Sequence, residues 1–178
     1  MAFYTEIKNR EQRFIESQKM FFVATVPKEG RINLSPKGMD TFRVIDKNHV
    51  MWLNLTGSGN ETAAHLLDDN RITIMFCAFE GAPNILRLYG TATAIHPKDD
   101  KWKDTISLFP EILGARQIFD IQIESVQTSC GMSIPFYEFQ KERNQLNKWA
   151  IDQGQEKIEQ YWKERNNISI DGNSTGIK

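Results

Sequence analysis

Within residues 117–126 the chain alternates from 119 to 124: Phe119, Ile121 and Ile123 are apolar, whereas Asp120, Gln122 and Glu124 are polar. A period of two marks a strand with one buried face, because successive side chains leave a strand on opposite sides. Other short segments read the same way. Residues 20–26 are an apolar run ending at Pro27. Residues 31–36 put Ile32 and Leu34 on one face and Arg31, Asn33 and Ser35 on the other. Between them Lys28-Glu29-Gly30-Arg31 makes a turn in which Gly30 is free to take positive φ, so the pair predicts a β-hairpin. Residues 42–45 and 49–55 flank an Asp46-Lys47-Asn48 turn. Residues 71–79 form an apolar strand, which predicts cover on both faces. Residues 85–95 form a long strand whose small Gly90, Ala92 and Ala94 share one face, as a tight interior requires.

Four segments have helical spacing: residues 5–18 with Thr5 as N-cap, 61–67, 97–109 opened by Pro97, and 139–166 divided at Gly154. They do not alternate with the strands, which excludes a doubly wound parallel sheet. The fold class is mainly β with peripheral helices: six or seven antiparallel strands in a closed or split barrel. A length of 178 residues fits one domain, 1–166, followed by a polar tail, 167–178, expected to fray.

Composition excludes several classes of function. A net charge of −1 leaves no basic field for nucleic acid or an anionic membrane. The apolar runs are far short of a membrane span, and the N-terminus lacks the pattern of a signal peptide, so a cytoplasmic protein is expected. Cys77 and Cys130 are two lone thiols, which favours a reducing compartment. The three histidines and two cysteines have no metal-ligand spacing, so no metal is expected.

The strongest chemical feature is Leu55-Thr56-Gly57-Ser58-Gly59-Asn60-Glu61-Thr62, a glycine-punctuated loop from a strand into a helix. Such a loop exposes backbone N–H groups, and the helix start adds partial positive charge, so it favours a phosphate. The plain alternative is a capped turn with Asn60 as N-cap. No Lys-Ser/Thr follows, so the loop is not a P-loop, and no β-α-β unit surrounds it, so it is not a dinucleotide fingerprint. Lys37, between Pro36 and Gly38, is a compact cation that could meet the same phosphate. Arg87, among Ile85, Leu86, Leu88 and Tyr89, either faces solvent or pairs with an anion. Ser129 and Cys130 open a polar loop after the clearest strand, but no histidine stands in a triad context to activate the thiol. Trp52, just before the glycine loop, reads first as core and second as a wall for a flat ring.

Taken in order, the runs Asn33-Leu34-Ser35-Pro36-Lys37-Gly38-Met39-Asp40, residues 55–66, 71–90 and 127–139 resemble the pyridoxamine 5′-phosphate oxidase-like proteins, an FMN-binding split β-barrel family with Greek-key-like connections. The resemblance spans residues 20–162. It implies a homodimer with FMN at the subunit interface. The cofactor would be held by Ser35, Lys37 and Thr56, by the strand from Trp52 through Asn54 and Leu55 beside the ring, and by Ser58, Gly59, Asn60 and Thr62 at the helix start. Arg87, Ser129 and Cys130 would approach from the barrel or the other subunit.

The oxidases proper carry an Arg-Lys pair where this chain has Glu61-Thr62, and they end in a basic-aromatic segment that is absent here. Both departures argue against pyridoxamine 5′-phosphate oxidation itself. The resemblance therefore implies an FMN-dependent oxidoreductase for another small molecule, with a nicotinamide donor as one source of electrons. No side chain is assigned as a catalytic acid or base. The alternative is a split barrel that binds flavin or haem without turnover.

Overall fold

The computed structural model describes residues 1–177; Lys178 lies outside the described residues. Eight strands and four helices are present among them: β1 Ala2–Tyr4, α1 Asn9–Ser17, β2 Met20–Thr25, β3 Asn33–Gly38, β4 Phe42–Val44, β5 His49–Leu55, α2 Glu61–Asp68, β6 Arg71–Cys77, β7 Ile85–Ile95, α3 Trp102–Ile106, β8 Ala115–Ser129 and α4 Gln145–Arg165. Every pairing is antiparallel, in the order β3-β2-β6-β7-β8-β5-β4, with β1 added against β8.

This order forces the sheet to curl. β3 and β4 stand at opposite ends of the seven-strand path, yet only Met39, Asp40 and Thr41 join them. Seven flat strands would separate the ends by about 29 Å, whereas a three-residue link spans at most about 14 Å. The two edges are therefore drawn together without pairing, which makes a split barrel. Met39 turns that corner at φ 62°, a conformation few side chains adopt.

The barrel interior is the alternating face of the strands. Phe21 and Val23, Val50 and Trp52, Ile74 and Phe76, Leu86 and Leu88, and Phe119 and Ile121 all lie within it. Gly90 faces the same interior at a bulge, where a Cβ would stand 1.9 Å from the Gln122 carbonyl oxygen, so only glycine fits. A second cluster on the outside, Met51, Leu53, Ile95 and Ile118, is covered by Trp102 and Ile106 of α3 with Phe109 behind them.

Several expectations are corrected. The first residues form β1 rather than a lead-in to a helix capped at Thr5; the Ile7 N–H is held by the Lys47 carbonyl at 2.7 Å, and α1 begins only after Lys8. β6 is not covered on both faces: Ile72, Ile74 and Phe76 are buried, but Thr73 and Met75 remain half-exposed. α3 is a single short helix, because Asp99 closes residues 96–99 into a turn against the His96 N–H. Residues 139–144 are not helical, whereas Gly154 does break α4, at φ 72°.

The tail does not fray. Ser169 and Thr175 are buried, Ile168 and Ser174 form a bridge, and Asp171 pairs with Arg31 across the β2–β3 turn. Among the described residues no helix is long and apolar enough to cross a membrane.

Candidate functional site

The glycine loop, residues 56–60, links β5 to α2 and is pinned at its start. The Thr56 N–H and hydroxyl both donate to the Gly114 carbonyl, at 2.9 and 2.8 Å, and the Trp162 indole N–H donates to the Thr56 hydroxyl at 2.7 Å. The Thr56 side chain is thus committed to holding α4 against the loop. Asn60 occupies the N-cap position of α2, but its side chain makes no capping hydrogen bond. Its Oδ1 accepts from Asn54 Nδ2 at 3.3 Å, and its buried Nδ2 has no partner. A merely capped turn would not leave that donor idle.

β3 faces the loop with its polar side. Asn33, Ser35 and Lys37 sit opposite Thr25, Val23 and Phe21 of β2, so they share the inward face. They border a pocket of about 240 Å³ together with Ser58, Gly59 and Asn60. Asn54, Gly57, Glu61, Thr62 and the buried Arg116 complete its wall, and Asn33 Nδ2 donates to Thr62 Oγ1 at 3.3 Å.

The pocket is strongly cationic. Arg116, at the start of β8, is 3% exposed; its Nη1 donates to the Gly59 carbonyl at 3.2 Å and to Asn166 Oδ1 at 2.5 Å, while its Nε has no partner. Burial lowers its pKa to about 9, against a small opposing effect of Tyr161. Burial, and then the charge of Arg116, lower Lys37 to about 8. Neither cation has a carboxylate partner among the described residues. Beside them Gln117 is fully buried; its Oε1 accepts from Asn54 Nδ2 at 3.0 Å and its Nε2 is unpartnered. A buried Arg116 beside a half-buried Lys37, with idle donors on Asn60 and Arg116 at the same pocket, is costly unless an anion joins them. Glu61 also borders the pocket, but it forms no ion pair with either cation among the described residues; both its carboxylate oxygens accept the Ile170 N–H, at 3.1 and 3.2 Å.

A larger cleft of about 750 Å³ adjoins this pocket and shares Lys37, Asn54 and Gly57 with it. Trp52, Pro36, Met20 and Leu55 supply one side; Phe139 and Leu146 close the other. Trp52 is a core residue, 1% exposed, tilted against Phe119 with ring centroids 4.8 Å apart, and it borders the cleft. The Lys37 ammonium lies 5.1 Å from its ring centroid. The two spaces together put a pocket bordered by two cations beside a larger cleft whose lining is mostly apolar.

Of the residues expected from the sequence, Ser35, Lys37, Asn54, Ser58, Gly59, Asn60 and Thr62 meet at the small pocket, and Leu55 and Thr56 line the larger cleft. Arg87, Ser129 and Cys130 border neither. They lie at the far end of the β7–β8 pair, where Arg87 Nη1 donates to Ser129 Oγ at 3.2 Å and Cys130 is exposed. Arg116, Gln117 and Asn166 were not anticipated. The only trace of the first two is a pair of polar residues where an apolar strand begins; Asn166 at the end of α4 carries no signal at all.

Residues 7–130 match the family described as pyridoxamine 5′-phosphate oxidase. The pyridoxamine 5′-phosphate oxidase family protein ustO of Aspergillus flavus is 32% identical over 190 residues, covering 96% of this chain and 76% of that protein. Among solved structures, HupZ of Group A Streptococcus superposes with a TM-score of 0.55 at 19% identity, over 74% of this chain and 99% of that one. An FAD-binding protein of Mesorhizobium loti superposes with a TM-score of 0.51 at 14% identity, over 72% of this chain and 97% of that one.

Proposed function

Because the chain belongs to the pyridoxamine 5′-phosphate oxidase family, we propose that it binds FMN, with the phosphate in the small pocket and the ring system in the adjoining cleft, and that it is an FMN-dependent oxidoreductase for a small molecule. The observation that carries this reading is the half-buried Lys37 and the buried Arg116, without an ion-pair partner among the described residues, at a pocket that adjoins a larger cleft. A phosphate monoester there would turn an unfavourable pair of charges into charge-assisted hydrogen bonds. It would also meet the idle Nδ2 of Asn60 and Nε of Arg116. Arg116 supplies from β8 the second cation that Glu61-Thr62 lacks at the helix start.

When bound, the flavin ring supplies the redox chemistry. Lys37 and Arg116 would hold the FMN phosphate, and the cleft that Trp52 borders would take the ring. A nicotinamide donor is the proposed electron source.

We place the protein in the cytoplasm as a homodimer. The half-exposed Met75, Arg87, Tyr89, Gln127 and Ser129 on the outward side of β6, β7 and β8 have no covering helix, which supports pairing through that face. Pairing there is the proposed route by which Arg87 and Ser129 reach a flavin. Residues 139–146 favour a second reading. Phe139 and Leu146 close one side of the cleft, so a flavin carrier without turnover of bulky substrates is the alternative.

The test is to purify the protein from a flavin-replete host, record its visible spectrum and identify the released chromophore. A flavin spectrum with FMN released, bleached by a nicotinamide donor and restored by a substrate, supports the oxidoreductase. Bound FMN that no donor reduces supports the carrier. A colourless protein that leaves added FMN fluorescence unchanged refutes both.

A further inference from the structure

Asn166, the last residue of the α4 turn, is fully buried, and its side chain touches both halves of the anion pocket without lining it. Its Nδ2 donates to the carbonyls of Gly57 at 3.1 Å and Ser58 at 3.4 Å, while its Oδ1 accepts from Arg116 Nη1 at 2.5 Å. A trans peptide points its C=O and N–H in opposite directions. With the Gly57 and Ser58 carbonyls drawn to Asn166, the N–H groups of Ser58 and Gly59 point away from it, toward the side of the loop that the pocket occupies. The same side chain thus turns the loop amides and fixes the arginine. Asparagine often ends a helix because it tolerates positive φ, but Asn166 has φ −116°, so that reason does not apply.

The segment behind it secures this arrangement. The Thr175 hydroxyl donates to the Asn166 carbonyl at 2.6 Å, and the Thr175 N–H to the Asn167 carbonyl at 3.0 Å. Further along, the Ile170 N–H is held by Glu61 of α2, and Asp171 accepts the Arg31 N–H at 2.7 Å. Residues 167–177 therefore run as a strap from the end of α4 over the start of α2 to the β2–β3 turn.

We propose that Asn166, secured by this strap, is the positioning residue of the anion site. It sets the loop amides and the Arg116 guanidinium for a phosphate, and so gives the chain its preference for a phosphorylated flavin over the unphosphorylated one. The proposal rests on the FMN reading above and deepens it: the C-terminal segment is part of the cofactor site.

The experiment titrates flavin-free, full-length protein with FMN and, separately, with riboflavin, following flavin fluorescence, for the wild type, Asn166→Asp and Thr175→Val. Asn166→Asp is nearly isosteric. It removes the donor to the two carbonyls and gives Arg116 a carboxylate that competes with phosphate. Its FMN affinity is expected to fall about 10- to 100-fold, with riboflavin affinity unchanged. Thr175→Val keeps every loop contact and loses only the strap's hold on the Asn166 carbonyl; a smaller loss, about 5-fold, is expected for FMN alone.

Equal weakening of both flavins would make Asn166 a residue of the fold only and overturn the proposal, as would no weakening of either. Should Asn166→Asp fail to fold, Thr175→Val decides by the same ratio. A wild type that does not prefer FMN to riboflavin refutes the FMN reading and the proposal with it. That failure is read in the wild type alone, so it is distinct from a failure of Asn166.

Discussion

Lys37 and Arg116 lie on strands β3 and β8, which three other strands separate in the sheet, yet they border one pocket and the charge of Arg116 helps hold the Lys37 pKa at about 8. The curl of the sheet creates this meeting. It brings the β3 edge round toward the start of β8 and places a half-buried lysine and a buried arginine on one pocket.

A dependence of FMN affinity on pH follows. The Lys37 pKa is depressed, so the flavin-free protein begins to lose that charge as pH rises through about 8, whereas a bound phosphate would restore it. Binding is therefore expected to take up a proton above pH ~8 and to weaken as pH rises further. Calorimetric titrations in two buffers of different ionisation enthalpy measure that uptake; an affinity flat through this window would refute the cationic role of Lys37. The linkage for flavin-free stability has the opposite slope. The unfolded chain binds more protons than the folded one between about 8 and the ordinary lysine value of 10.5, so this group makes folding more favourable as pH rises through that window.

Replacing Arg116 with Gln separates binding from folding. The wild-type guanidinium is 3% exposed and unpaired by any carboxylate among the described residues, so its removal is expected to leave flavin-free stability unchanged or slightly raised. FMN affinity should fall about 10- to 100-fold, the size of a lost hydrogen bond to a charged group. Thermal melts and fluorescence titration on the same preparation check both halves; a large loss of stability with unchanged FMN affinity would contradict the assignment.

Gly90→Ala tests the bulge in β7. The added Cβ would stand 1.9 Å from the Gln122 carbonyl oxygen, and the neighbour is backbone rather than a movable side chain. A loss on the order of 3 kcal/mol is expected from such overpacking, read as a lower urea midpoint.

Trp162→Phe keeps most of the apolar ring but removes the indole N–H that reaches Thr56 Oγ1 at 2.7 Å. The expected cost is about 1 kcal/mol, together with looser docking of α4 on the glycine loop. Amide exchange at residues 56–60 should speed up in this variant; unchanged protection there would show that the contact does not hold the loop.

Most of the barrel could be read from the chain. β5 and β7 occupy the ranges expected of them, Gly30 takes the expected positive φ, and Gly154 breaks α4 as expected. The site was half legible. The glycine loop and Lys37 stand out because their chemistry is local: a run of exposed amides and a cation beside a turn. Arg116 and Asn166 do not, since an arginine opening an apolar strand and an asparagine ending a polar helix look like surface residues until the chain is folded.

By itself, the sequence determined what depends on neighbours a few residues apart: strand periodicity, the turns, the break in α4 and the anion-ready loop. Only the tertiary structure decided which groups share a pocket. Arg116 lies 57 residues beyond the Gly59 carbonyl it binds, and Asn166 lies 109 beyond Gly57. Contacts at such separations are chosen by the closure of the barrel and the docking of α4, and side-chain alternation along a single strand carries no record of them. The same closure brought Lys37 and Arg116, from strands far apart in the sheet, to the border of one pocket.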